Sequence, residues 1–209
     1  FKLLRVMNIT LRDDLSIIAK WISPNSTVLD LGCGDGMLLQ WLCEKNSCRG
    51  YGVEISPEKV NECIKKNLNV IQADIDGGLS IFDKNKFDVV ILSQALQATL
   101  KTELVLKKIS SLGKKVVVSI PNFGHWSSLF SLAKGHMPVN HRLPYEWFNT
   151  PNLHFATIKD FEVLLNKLQF TNIKAAYIDE SRSKSSKIIK HFITLRCTTA
   201  IYQFSSTLS

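Results

Sequence analysis

In the stretch TVLDLGCGDG, which begins at Thr27, Gly32, Gly34 and Gly36 alternate with Cys33 and Asp35, and Asp30 stands just ahead of them. Glycines so spaced let a backbone turn sharply and let a ligand come close with no Cβ in the way. Glu54 follows Gly34 by 20 residues, the interval at which an acid accepts hydrogen bonds from the two hydroxyls of a ribose. The chemistry on offer is the holding of a nucleotide-like cofactor. A dinucleotide wants G-x-G-x-x-G, but here the third glycine comes one residue early and Met37 takes its position. Asp30 and Asp35 also flank the amides on which a pyrophosphate would rest, and like charges at that range repel, more so when partly desolvated. An ammonium and a sulfonium would be attracted instead, and S-adenosylmethionine carries both, with an adenosine for Glu54. Further on, Asp74 is placed to accept from the adenine amino group while the backbone of Ile75 faces the ring. Taken singly these residues have plainer uses: Gly-x-Gly is often only a turn, and Asp74 or Asp76 a loop acid.

Holding such residues at one point requires strands that end there. Leu11, Leu15, Ile18 and Ile22 make one apolar face of a first helix, which SPNS (23–26) breaks. The run 27–31, the glycines and MLLQWLCE then read strand, tight turn, helix. A second strand, GYGVEI, ends at Ser56-Pro57-Glu58, which supplies an N-cap, a proline for the first helical position and an acid for the helix's positive end. The helix so opened carries Val60, Cys63 and Ile64 on one face. NVIQAD and FDVVILS are the third and fourth strands; a helix follows through Leu112 with Gly113 as its C-cap. KKVVVSIPN is the fifth strand. After Pro121 come a helix in GHWSSLFSLAKG, a proline- and aromatic-rich segment, and a capping box at Thr157 and Asp160. NIKAAYI and TTAIYQF close the chain as an antiparallel hairpin at the sheet edge. Strands apolar on both faces and alternating with helices imply an α/β fold: a doubly wound, mostly parallel seven-stranded sheet, Rossmann-like, with helices on both faces.

Composition sets the outer limits. The 209 residues, 45% of them hydrophobic, suffice for one core and are expected to form a single domain over 1–209, with 1–10 irregular and a natural start at Met7. No apolar run approaches the roughly 18 residues that span a bilayer and no secretion signal opens the chain, so a cytoplasmic protein is expected. The five cysteines are odd in number and form no CxxC pair, which argues against a zinc site or a disulfide framework. The net charge of +8 is spread along the chain apart from SRSKSSKIIKH (181–191), and no aromatic-interleaved basic motif supports nucleic-acid binding.

DLGCGDG, YGVEIS and FDVVILS resemble the class I S-adenosylmethionine-dependent methyltransferases, a superfamily that fixes a fold more than a function. SQALQAT, SIPNFGHW and HMPVNHRLPYEWFNTPNLHF narrow the resemblance to the methionine biosynthesis protein MetW family, from Leu11 to Phe170. The resemblance implies a protein of methionine synthesis that supports homoserine O-acyltransferase as a partner subunit, with no settled methyl acceptor. Two functions stay open: a binding partner in which S-adenosylmethionine reports pathway status, and a working small-molecule methyltransferase. Methyl transfer needs little beyond alignment of donor and acceptor, and a base only if the acceptor must lose a proton. Gln94 after the fourth strand is a further candidate for cofactor contact, and Asn122, His125 and Trp126 after the fifth stand where active-site groups collect. His125 reads more readily as a loop histidine bonded to backbone than as a base. Tyr145, Trp147, Phe148, Asn149, Pro151 and His154 suit a lid, a docking face or a packing loop. No G-x-S-x-G elbow is present for an acyltransferase or hydrolase acting alone.

Overall fold

The computed structural model describes residues 10–140, 142–180, 187–188 and 191–205. The expected start at Met7, and most of the basic cluster at 181–191, lie outside the described residues. The first helix, α1 (Asp13–Trp21), leads into β1 (Thr27–Leu31), α2 (Met37–Asn46), β2 (Arg49–Glu54) and α3 (Pro57–Lys65). β3 (Asn69–Gln72), the single turn α4 (Ile75–Gly78), β4 (Phe87–Ser93), α5 (Thr102–Leu112) and β5 (Gly113–Pro121) follow. The last part holds α6 (Trp126–Ala133), α7 (Ile158–Lys167), β6 (Thr171–Asp179), β7 (Lys187–Ile188), α8 (Ile193–Arg196) and β8 (Thr199–Ser205).

These strands form one sheet in the order β3-β2-β1-β4-β5-β8-β6-β7. β3, β2, β1, β4 and β5 run parallel, and β8 pairs antiparallel with both β5 and β6. The fold is the expected α/β one, seven principal strands with the two-residue β7 added at the edge. The closing strands do pair with each other, but β8 fits between β5 and β6, so β6 and β7 form the rim.

Alternation along the strands builds two cores. Leu29, Leu31, Val90, Leu92, Val116 and Val118 face α5 and α7, while Val28, Val89, Ile91 and Val117 face α1 and α2. Burial on both faces is what makes β1, β4 and β5 nearly continuous apolar runs. Ser56 caps α3 as expected, its Oγ accepting from Lys59 N, and the reciprocal Thr157–Asp160 box opens α7. Two details differ. Ile64 of α3 is exposed, leaving Val60 and Cys63 to make its buried face. Gly113 is extended at φ −142° and starts β5 directly; glycine is needed there because a Cβ would stand 2.7 Å from Val90 Cγ2.

Candidate cofactor site

The winding reverses between β1 and β4, the place where open parallel sheets bind ligands beyond their strand ends. A cavity of about 590 Å³ opens there, within the size range of small-molecule sites. Asp30, Gly32, Gly34, Asp35, Glu54, Asp74, Ile75 and Gln94 all line it. Gly36 does not. It turns the chain at φ +75°, and a Cβ there would strike Leu68 and Cys63 at 2.4 and 2.9 Å, so its part is to seat the turn against α3. Gly34, by contrast, has nothing within 4 Å of where its Cβ would be, and leaves the cavity floor bare.

Glu54 is bound into the loop itself. Its Oε2 accepts from Gly34 N at 2.8 Å, and its Oε1 accepts from Ile55 N and Ser56 N at 3.0 Å each. The carboxylate thus ties the end of β2 to the glycine turn, and with three donors taken it keeps one acceptor position on Oε2 unused among the described residues, in a side chain that lines the cavity. Asp30 is 3% exposed, and among the described residues no hydrogen bond or ion pair reaches its carboxyl. Burial, and secondarily the charge of Glu54, push its pKa up to about 7.

Asp35 corrects the charge argument drawn from the loop. Lys66 Nζ lies 2.9 Å from its Oδ2, and Met37 N donates to its Oδ1 at 3.2 Å. Partial burial opposes ionisation, but these hydrogen bonds outweigh it and hold the carboxyl below its usual range. With Asp35 neutralised from α3, the repulsion of a pyrophosphate and the attraction of a cation rest on Asp30 and Glu54. Asp74 keeps a place in the cavity wall while capping α4, its Oδ1 accepting from Asp76 N at 2.9 Å. Asp76 also lines the cavity, its carboxylate accepting from Leu100 N and Lys101 N.

Gln94 sits in the left-handed region at φ +54°, its backbone N donating to Ser119 Oγ. Its Nε2 is buried with no partner in the protein. Asn122 and His125 are not at this cavity. They line a second, smaller one with Arg142 and Glu180. Asn122 donates to Thr194 O and Cys197 O, and His125 caps α6 through Nδ1. Of the aromatic segment, Pro151 reaches the large cavity and His154 a third one, while Tyr145, Trp147, Phe148 and Asn149 face solvent. Trp126 also faces outward. Arg12, Lys59 and Leu100 line the large cavity as well. Sequence reasoning passed over them because no local pattern marks a residue brought in from another part of the chain.

The wall beyond Asp30, formed by Ser93, Gln94, Ala95, Ala98, Thr99, Leu100 and Pro151, holds no titratable side chain. It can enclose and orient a ligand, and the acid beside it, Asp76, is bonded to the backbone of Leu100 and Lys101. No cluster of histidine, cysteine or acid residues suited to a metal ion occurs among the described residues.

The family model for the methionine biosynthesis protein MetW matches residues 12–204. The chain belongs to the MetW family. It is 32% identical over 176 residues to a bifunctional methionine biosynthesis protein MetXA/MetW from Rhodopirellula baltica, covering 77% of this chain and 27% of that protein. A protein-lysine N-methyltransferase from Saccharolobus islandicus is 33% identical over 98 residues, 46% of this chain and 56% of its own length. The chain therefore spans only part of the curated relatives it matches. Its fold is that of SAM-dependent methyltransferases: the one from Thermotoga maritima superposes with a TM-score of 0.70 at 14% identity, over 93% of this chain and 88% of the other. The one from Archaeoglobus fulgidus gives 0.69 at 19%, over 91% and 90%.

Proposed function

We propose that this MetW-family chain is an S-adenosylmethionine-binding, methyltransferase-fold partner that supports homoserine O-acyltransferase in methionine biosynthesis. The residues fit the cofactor: a carboxyl without a counter-ion at Asp30 for its cationic methionine end, Glu54 for the ribose, Asp74 and Ile75 for the adenine, and a bare Gly34 between them. When bound, S-adenosylmethionine supplies a methyl group already activated on a sulfonium. In the partner role the cavity reports how much of it is present.

The partner role is carried by α6. Its serines turn inward, Ser128 being fully buried, while Trp126, Leu129, Phe130 and Leu132 are 43, 44, 57 and 41% exposed. A helix that shows its apolar face to solvent is built to be covered. Trp147 and Phe148 add exposed aromatic surface, of the kind enriched at interfaces. The joining of MetXA and MetW in one bifunctional relative supports the acyltransferase as what covers it. We take residues 1–209 as one domain and the protein as cytoplasmic; no helix among the described residues is long and apolar enough to cross a membrane.

The test is homoserine acylation by the purified acyltransferase with and without this chain, beside calorimetric titration with S-adenosylmethionine. Acyl transfer is expected to rise on addition; an unchanged rate would remove the partner role. A second reading, an active small-molecule methyltransferase, is favoured by Gln94, whose buried amide is a donor that the protein itself leaves unused. Multiple-turnover methyl transfer to a defined metabolite would move that reading to first place.

A further inference from the structure

Arg12 stands at the N-cap of α1 and lines the large cavity together with Leu15 and Asp30. Its guanidinium is gripped along one edge: Nε donates to Asp14 Oδ1 and Nη2 to Asp14 Oδ2, both at 3.2 Å. Asp14 is fully buried and is held in turn by Arg142 Nη2 at 3.4 Å. Arg142 is anchored by its Nε on Glu180 Oε2 at 2.6 Å, and Thr199 Oγ1 donates to that same Glu180 oxygen at 3.1 Å. The chain Arg12–Asp14–Arg142–Glu180 holds two cations and two anions, so it is neutral, and only its Arg12 end is substantially exposed, at 53% of the side chain.

A guanidinium has five N–H donors in a fixed planar fork. Asp14 takes one from Nε and one from Nη2, which leaves both hydrogens of Nη1 and the second of Nη2. These three lie along the edges away from Asp14, and the adjacent Nη1 and Nη2 hydrogens match the spacing of a carboxylate. An amino-acid group offers opposite charges a few ångströms apart, and the cavity wall offers the reverse pair, Asp30 for the ammonium and Arg12 for the carboxylate. We propose that Arg12 binds the α-carboxylate of the cofactor's amino-acid end, with Asp14 as the positioning residue that fixes the plane of the fork. The cavity then selects nucleosides that carry a whole amino acid over those that have lost it. This rests on the cofactor reading given above. The other cation of the wall, Lys59, belongs to the first turn of α3 beside Glu54 and Ile55, at the ribose end, and takes no part in the discrimination.

The experiment is calorimetric binding of two probes to the full chain: S-adenosylhomocysteine, which has the amino-acid end, and 5′-methylthioadenosine, which lacks it. Arg12→Ala is expected to weaken the first roughly tenfold to hundredfold, the usual loss for a forked charge-assisted pair, and to leave the second unchanged. Arg12→Lys, which keeps the charge without the fork, is expected between the two. Asp14→Asn should lower the ratio of the two affinities in the same direction, a change that a purely structural role would not produce; Lys59→Ala should leave the ratio alone. Equal loss of both probes in Arg12→Ala, no loss of either, or a ratio shifted by Lys59→Ala instead would overturn the assignment. Failure of the unaltered chain to bind S-adenosylhomocysteine would sink the cofactor reading itself, an outcome separate from these.

Discussion

Asp30 is a buried carboxyl whose pKa is raised to about 7 by burial and by Glu54, and that has two consequences of opposite sign. In the unfolded chain the group ionises near pH 4. Between about pH 4 and 7 the native state therefore holds a proton that the unfolded state has lost, so stability falls as pH rises through this window and is level above it. Asp30→Asn is expected to stabilise the ligand-free protein by on the order of a few kcal/mol at pH 8 and by little at pH 4, as read by urea unfolding at the two pH values. Cation binding runs the other way. The proton must leave before Asp30 can face a sulfonium or ammonium, so affinity for S-adenosylmethionine should drop by about tenfold per unit below pH 7 and be largely lost in Asp30→Asn. A flat pH profile in the unaltered protein would take Asp30 out of the site. Asp30→Asn is a cleaner probe than any change at Glu54, whose three backbone donors make it part of the loop's own structure. Gly34, Glu54 and Asp30 were legible in the sequence because each answers a local demand of a strand-to-helix turn. The pairing of Asp35 with Lys66 was not, since nothing within 31 residues of chain says which way a loop carboxylate will turn.

At the level of elements, α6 shows where periodicity stops being informative. GHWSSLFSLAKG reads correctly as a helix, and its apolar stripe reads by default as a core face; the helix instead lies with Ser127, Ser128 and Ser131 toward the protein. Ser131 Oγ donates to Ser127 O at 3.1 Å and Ser127 Oγ bonds His125 Nδ1 at 2.7 Å, whereas the buried Ser128 Oγ has no partner among the described residues. Because Leu129 and Phe130 are only about half buried in the isolated chain, Leu129→Ser with Phe130→Ser should lower its stability by no more than about 1–3 kcal/mol, measured by thermal unfolding. The same pair should abolish co-elution with the acyltransferase and its stimulation. A large loss of stability would mean that the stripe packs within the chain, and full stimulation would mean that the partner sits elsewhere. α7 gives the opposite lesson: its Thr157–Asp160 box is a contact over three residues, and a sequence displays such contacts plainly.

In the molecule as a whole, the large cavity lies at the reversal between β1 and β4 while α6 follows β5, and Asp14 and Arg142 tie the helix before β1 to the segment after α6. Neither the reversal point nor this tie is written in any one stretch of chain; the first comes from the order of strands and the second from residues 128 positions apart. If the cavity senses S-adenosylmethionine on behalf of a partner, thermodynamics imposes a symmetric condition. Whatever factor the ligand applies to acyltransferase affinity, the acyltransferase must apply to ligand affinity. Couplings of this kind usually amount to about 5- to 150-fold. Titrating the acyltransferase into this chain with and without saturating S-adenosylmethionine gives one factor, and titrating S-adenosylmethionine into the chain with and without saturating acyltransferase gives the other. The two are expected to agree and to differ from one. A factor of one in both would leave a constitutive partner that carries a cofactor without reading it. Arg142→Lys, which loses the bidentate hold on Glu180 but keeps the charge, is expected to bring the shared factor toward one, with a loss of S-adenosylmethionine affinity no larger than that of Asp14→Asn and with acyltransferase affinity unchanged. A loss of acyltransferase affinity with the coupling factor unchanged would show that the ion chain supports a surface rather than a coupling.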